Sequence, residues 1–290
     1  MIDNEKAVRE KKKIALTSVV AAVFLTSFKL IIGFITGSLG ILSEALHSGL
    51  DLVAALITFF AVRIADQPAD EEHHYGHGKI ENYSALIETL LLLITCLWIV
   101  YEAIKRIVTG KVEIEVTVWS FAVIITSIIV DITRSKALYK VARKYNSQAL
   151  EADALHFSTD IWSSAVVLIG LIGVSFNFNL ADPVAALIVA VIVLGVSYRL
   201  GKRSFDALID RAPVGITNEI KKIVAGIKEV KQFHNLKVRE SGPYKFVDLN
   251  IHVESNLSIS DAHNISHSVE KAIKNKIDNI EVTIHIEPDK

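Results

Sequence analysis

One cysteine is all this chain has, and that scarcity closes several routes at once. No disulfide framework can form within one chain, and no thiolate zinc site can be assembled. Cys96 sits inside an apolar run, so any metal chemistry has to use histidine and carboxylate. No His-Glu-x-x-His occurs, so the zinc-protease arrangement is excluded. Net charge is scarce too: 31 Lys and Arg stand against 32 Asp and Glu. With no basic stripe interleaved with aromatics, the chain does not read as a nucleic-acid binder. Internal repeats and low-complexity tracts are also missing. Met1 to Lys13 is too charged for a signal-peptide core, and the apolar stretch behind it is too long for one and lacks a small-residue cleavage site. It reads as a retained first span.

What the chain has in excess is apolar residues, 51% of 290. From about Ile14 to Leu200 they form runs near the roughly 20 residues needed to cross a bilayer as helix, whereas Gly201 to Lys290 has globular composition. Spans are expected at about 14–36, 40–64, 83–107, 115–133, 148–175 and 180–200. The fold class is thus a six-helix transmembrane bundle, residues 1–207, followed by a small soluble domain, residues 208–290. Arg9 with Lys11 to Lys13, then Arg134, Lys136, Lys140, Arg143 and Lys144, then Lys202 and Arg203 all fall on one side. The excess of lysine and arginine makes that side cytoplasmic, with both termini there and the chain in the cell membrane. The connections Thr36 to Gly40 and Phe176 to Ala181 contain no basic residue, as expected outside; Lys105, Arg106 and Lys111 dissent.

The tail reads as helix near 217–227, strands near 232–239 and 245–254, helix 260–277 and strand 281–287. Alternation through Phe246-Val-Asp-Leu-Asn-Ile-His-Val253 is a strand signal, and Ser258 or Ser260-Asp261 offers a helix cap. An αββαβ unit of this size forms a small α+β sheet with helices on one face.

Two spans carry the same spacing, His47 with Asp51 and His156 with Asp160. Four residues apart, each pair lies on one helical face. Two such faces opposed offer two imidazoles and two carboxylates, a set suited to four-coordinate zinc. Ionisable groups at membrane depth usually face a cavity and mark an ion or proton path. An empty site with both aspartates ionised carries two negative charges, which a divalent cation or protons neutralise, so the two compete. Replacing a hard oxygen ligand by imidazole moves such a site from manganese toward zinc, cobalt or nickel.

Asp70, His73 and His77 in the connection after the second span have the spacing for a surface metal site on a helical or turned segment, or form a solvated acidic, histidine-rich loop. The tail holds His234, His252, His263, His267, His285, Glu287 and Asp289. His285 and Glu287 alternate along one strand and share a face. Spacing leaves open a cluster of bound ions or a set of exposed histidines. Glu44, three before His47, is in reach to orient it, while Asp131, Glu151 and Asp153 are expected near the hydrated cytoplasmic surface and Glu88 in a structural role.

Ser43-Glu-Ala-Leu-His47-Ser-Gly-Leu-Asp51, the run Gln67-Pro-Ala-Asp70 through His73, Tyr75-Gly-His77-Gly-Lys79 and Glu81, and Asp153-Ala-Leu-His156-Phe-Ser-Thr-Asp160 resemble the motifs of the cation diffusion facilitator family in type, order and spacing. The resemblance covers nearly the whole chain. It implies a homodimer, six spans per protomer and a cytoplasmic αββαβ domain, exchanging divalent metal outward for protons by alternating access. It implies a transport site of His47, Asp51, His156 and Asp160 and a loop site of Asp70, His73 and His77. His234, His252, His285 and Glu287 would build a binuclear tail site, with His263 a further ligand. Lys79 and Asp210 match a pair that holds the dimer's charge interlock. Two positions depart from the pattern. Some bacterial members have Asp where this chain has His47, and histidine there goes with zinc preference and poorer cadmium acceptance. Glu287 stands where the well-studied bacterial type has aspartate.

The expected function is therefore proton-coupled efflux of Zn2+. Transport of Fe2+, Mn2+ or Co2+ and a membrane-bound metal sensor are the alternatives. A metalloenzyme is disfavoured because four protein ligands leave no open position for an activated water. A pure sensor needs no paired ligands at membrane depth.

Overall fold

Six apolar runs become six long helices. The computed structural model describes residues 4–37, 39–109, 118–175 and 181–289. The helices are α1 (Asn4–Thr36), α2 (Leu39–Ala65), α3 (Lys79–Thr109), α4 (Val118–Tyr145), α5 (Gln148–Ser175) and α6 (Ala181–Leu208). The shortest has 27 residues, about 40 Å of helix at 1.5 Å per residue, against a hydrocarbon core of roughly 30 Å. Five of the six outrun their expected spans, and α5 matches its own, 148–175. Among the described residues, Glu5–Thr36, Glu44–Ala65 and Lys79–Thr109 are long and apolar enough to cross a membrane by length and composition. Helices α4 to α6 adjoin residues 110–117 and 176–180, outside the described part. Lys111, the expected start of the fourth span at 115, residues 176–180 of one outer connection and Ser38 of the other lie outside the described residues too.

The helices pack most extensively as α1 on α2, α4 on α5 and α3 on α6, and α5 also touches α2, α3 and α6. Small residues bring the backbones together. Ala15, Ala22, Ala55, Ala142, Ala149 and Ala154 are buried around Leu138, Leu150 and Phe157, in a core shared by α1, α2, α4 and α5. At Gly201 of α6, an added Cβ would stand 2.8 Å from Thr89 Cγ2 of α3, so the α3–α6 crossing depends on its absence. Phe34, Trp98 and Val191 point outward with 74%, 69% and 69% of their surface free, as a lipid-facing surface requires.

The tail comprises α7 (Ile216–Ala225), β1 (Gln232–Ser241), β2 (Tyr244–Val253), α8 (Ile259–Lys274) and β3 (Ile280–Pro288). Strand β2 pairs antiparallel with β1 and parallel with β3. Period-2 alternation drives Val247, Leu249, Ile251 and Val253 to one face, where they bury against Ile220, Val224, Val269 and Ile273 of α7 and α8. The opposite face is left for polar residues. Ser258 caps α8, its Oγ accepting from the Asp261 amide at 3.1 Å.

Ion pairs gather one end of the bundle. Lys11 of α1 pairs with Asp66 and with Glu81 of α3, Lys144 with Glu10 at 2.6 Å, Arg203 with Glu151 at 2.8 Å, and Lys79 with Asp210 at 2.8 Å. The tail docks at the same end: Gly242 N donates to Asn82 Oδ1 at 3.0 Å, and Gln148 Nε2 to Glu240 Oε1 at 3.3 Å. Asp131 and Asp153, expected near hydrated surface, are instead buried between helices. Ser18 Oγ donates to Asp153 Oδ2 at 3.0 Å, Arg134 Nη2 to Ser18 Oγ at 3.0 Å, and Arg134 lies 3.6 Å from Asp131. The helix crossing, invisible to spacing, turns their side chains inward. Glu88 is also fully buried, accepting from Thr58 and, at 3.4 Å, from Ser84.

Candidate metal centres

Helices α2 and α5 cross where their His-x-x-x-Asp pairs face each other. His156 Nε2 lies 3.1 Å from Asp51 Oδ1 and 3.8 Å from Asp160 Oδ2, and His47 Nε2 lies 3.7 Å from Asp160 Oδ1 and 4.0 Å from Asp51 Oδ1. Each imidazole thus addresses a carboxylate on its own helix and one on the other. His47, Asp51 and Asp160 offer ligand atoms within 4.8 Å of one another, and His156 closes the set against Asp51. His156 is the most enclosed, with 4% of its side chain free, and His47 the most open, with 37%. Phe157 packs edge-on to the His156 ring at 5.5 Å. Glu44 does not turn toward His47 but pairs with Lys29 of α1 at 3.2 Å.

The loop cluster forms on a turn rather than a helix. Asp70 Oδ1 accepts from the amides of His73 at 2.6 Å and Glu72 at 3.0 Å, which folds the segment back on itself. These amide bonds hold the Asp70 carboxyl below its usual range, the His73 amide contributing most. His73 Nδ1 lies 3.2 Å from Oδ1, His77 Nε2 3.4 Å from Oδ2, and the two rings are 4.4 Å apart. The three ligand atoms fall within 4.8 Å.

In the tail, strand register assembles the third cluster. His234 of β1 sits opposite Asn250 of β2, which sits opposite His285 of β3, and His252 sits opposite Glu287. All five share the face away from α7 and α8. Glu287 is central: Oε1 lies 3.6 Å from His234 Nε2 and 3.8 Å from His285 Nε2, and Oε2 lies 3.5 Å from His252 Nε2. Asn250 Nδ2 donates to Oε1 at 2.7 Å, the main reason the Glu287 carboxyl sits below its usual range. His285 is exposed at the cluster's edge. His263 is not brought into the cluster: it sits on the exposed face of α8, 4.7 Å ring to ring from His267. Asn250 was not anticipated, although it shares a strand face with His252 two residues on.

Clustered imidazole and carboxylate between two long apolar helices suits a divalent-cation carrier, and comparison with known proteins agrees. The family model described as the cation efflux transmembrane domain matches residues 15–209, and that described as the cation efflux protein cytoplasmic domain matches 213–289. This chain belongs to the cation diffusion facilitator family. It is 35% identical over 274 residues to an uncharacterized transporter of Methanocaldococcus jannaschii, covering 94% of this chain and 95% of that one. It is 34% identical over 281 residues to the cation-efflux pump FieF of Cronobacter sakazakii, covering 94% and 91%. Among solved structures, the metal-bound C-terminal domain of the CzcD transporter from Thermotoga maritima is 30% identical over 25% of this chain and 86% of that one, with a TM-score of 0.25. As a cation diffusion facilitator the protein is a membrane-embedded cation-efflux transporter and not an enzyme.

Proposed function

We propose that this cation diffusion facilitator exports Zn2+ from the cytoplasm in exchange for protons, through His47, Asp51, His156 and Asp160. The observation that carries the reading is the crossing of α2 and α5, where each imidazole stands within 4.0 Å of a carboxylate from either helix. Two nitrogen and two oxygen donors favour zinc, cobalt or nickel over manganese. In the absence of the cation, protons on the imidazoles answer the charge of Asp51 and Asp160. When the cation binds, those protons leave, because only the deprotonated forms are ligands. Alternating access then exposes the set to either side, with the α3–α6 pair and the other four helices as the moving bodies.

In this reading residues 1–207 transport and residues 208–290 regulate, with both termini cytoplasmic. Asp70, His73 and His77 would hold one regulatory ion, and His234, His252, His285 and Glu287 a pair, His263 joining if α8 shifts toward the sheet. All three donor sets match what Zn2+ accepts. Two copies would associate, the Lys79–Asp210 contact securing each protomer's junction between α3 and the tail.

The test is zinc uptake into proteoliposomes under an imposed proton gradient, comparing the native chain with Asp160→Ala and adding manganese and cadmium as competitors. Gradient-dependent zinc flux, lost in the variant and poorly inhibited by manganese, is expected. Zinc flux that ignores the proton gradient would refute exchange, and flux retained by the variant would refute the site. Replacing His234, His252 and His285 together is expected to alter the rate or its dependence on zinc concentration; unchanged values would remove the regulatory role.

A further inference from the structure

Between α4 and α5, beyond the end of the expected fourth span, the surface opens into a groove of about 350 Å³. Ser135, Lys136, Tyr139 and Lys140 of α4 line it with Leu155 and Ser158 of α5. The hydroxyls of Ser135 and Ser158 meet at 2.7 Å, one donating to the other and the acceptor donating to Ala154 O, which lies 2.8 and 3.0 Å from them; this closes the inner wall. Lys136 and Lys140, one helical turn apart, are both exposed. Among the described residues neither has an ion pair or hydrogen bond. Of the other basic residues at this end, Lys11, Lys79, Lys144, Lys202 and Arg203 have carboxylate partners, whereas Lys12, Lys13 and Arg143 have none among the described residues. Arg143 adds a third positive charge below them, donating to Tyr139 Oη at 2.7 Å with its guanidinium 4.6 Å from the ring.

Like charges one turn apart on a helix repel and destabilise it, so the pair calls for an anion. A divalent cation is repelled from the groove, which therefore is not the cargo's route. Depth narrows the choice of anion. Lys136 lies three residues past Thr133, where the expected span ends, so it stands about 5 Å, and Lys140 about 10 Å, beyond the hydrocarbon edge. The headgroup layer adds roughly 5–7 Å on each side of the core, so the Lys136 backbone stands within it and that of Lys140 about 3–5 Å past it, a gap its flexible four-carbon side chain can span. The groove is within the roughly 300–1,000 Å³ of small-molecule sites, ample for a phosphate and glycerol but not for whole acyl chains. Leu155 and the Tyr139 ring supply an apolar wall beside the charges.

We infer that this groove binds an anionic phospholipid, its phosphate held by Lys136 and Lys140 and its acyl chains left in the bilayer. Leu155 and Ser158 flank His156 on α5, so the lipid braces the helical turn that carries His156 and Asp160. The inference goes beyond the transport reading and does not depend on which cation is cargo.

Native mass spectrometry of the full chain, released from detergent with added phosphatidylglycerol or phosphatidylcholine, tests it. Each lysine near an anionic surface contributes about 1 kcal/mol, or about fivefold. Lys136→Gln and Lys140→Gln should each weaken phosphatidylglycerol retention about fivefold, and the double variant about 25-fold. Lys12→Gln with Lys13→Gln, a basic pair on α1, should leave it unchanged. Equal retention by the double variant, equal binding of phosphatidylcholine, or the same loss in the α1 variant would each overturn the inference. Displacement of the lipid by inorganic phosphate at matched concentration would assign the groove to a soluble anion and overturn it as well. Circular dichroism confirms that the variants fold, both lysines being on the surface.

Discussion

Gly78→Ala is expected to undock the tail from the helices without unfolding either. A Cβ there would lie 2.3 Å from Ser241 O, 2.8 Å from Ser241 C and 2.9 Å from Ser241 Oγ. Two of those atoms are backbone, so the hairpin turn between β1 and β2 has to retreat by about 1 Å to reach ordinary contact. Gly242 is caught in the same niche: it has φ of 57°, and its own Cβ position is 2.6 Å from Gly78 O. Overpacking of this kind costs roughly 1–3 kcal/mol. Retreat also breaks the Gly242 N–H bond to the buried Asn82 Oδ1 and loosens Tyr75, which packs edge-on to Phe246 at 5.1 Å and under the Arg239 guanidinium at 3.9 Å. The docked state should lose about 5- to 150-fold in population. Hydrogen exchange on the intact protein reads this directly, because the Gly242 amide is shielded only while it donates to Asn82. Its protection should fall by that factor, while amides within β2, such as those of Leu249 and Ile251, keep theirs. Gly195→Ala, where an added Cβ meets nothing within 4 Å, is the control. Unchanged protection at Gly242 in Gly78→Ala would refute the proposed docking.

Four further outcomes are expected. Asp51→Ala or His156→Ala should abolish flux, measured in proteoliposomes, and cost about 1–3 kcal/mol in thermal unfolding, because each strips the other of its contact at 3.1 Å. His47→Asp should raise manganese flux relative to zinc in competition assays, since a hard oxygen replaces an imidazole. Asn250→Leu removes the bond that favours ionised Glu287, so that carboxyl climbs back toward 4.5. The ionised form's contribution is present above the unfolded value and is lost as pH falls through the folded one. The variant's deficit in tail metal affinity, read by titration, should therefore widen between pH 7 and pH 4.5. Ile251→Ala, fully buried beneath α7 and α8, should cost roughly 2–5 kcal/mol in tail stability, seen as earlier loss of β-sheet exchange protection.

The transmembrane part was legible because its signals are local. Runs of apolar residues near bilayer length force helices, since backbone groups in lipid have no other way to be satisfied. The two His-x-x-x-Asp pairs were legible for the same reason, four residues being one helical turn. The αββαβ order followed from period-2 alternation in β2 and the Ser258 cap of α8. Register was not local, so Asn250 reached Glu287 unforeseen, and the exposed placement of His263 could not be read from counting. Spacing also placed Asp131 and Asp153 at a hydrated surface, whereas helix crossing enclosed them with Ser18 and Arg134.

By itself the sequence determined which segments form long apolar helices, which residues carry side chains of metal-ligating type, and which of these share an element, because periodicity and burial cost act within a single helix or strand. Only the tertiary structure decided which elements meet: α2 with α5 at the membrane site, three strands around Glu287, a hairpin seated against Gly78, and a groove between α4 and α5 that leaves two lysines unpaired. Those choices depend on where small residues let backbones approach and on strand register, and neither is written into any one segment.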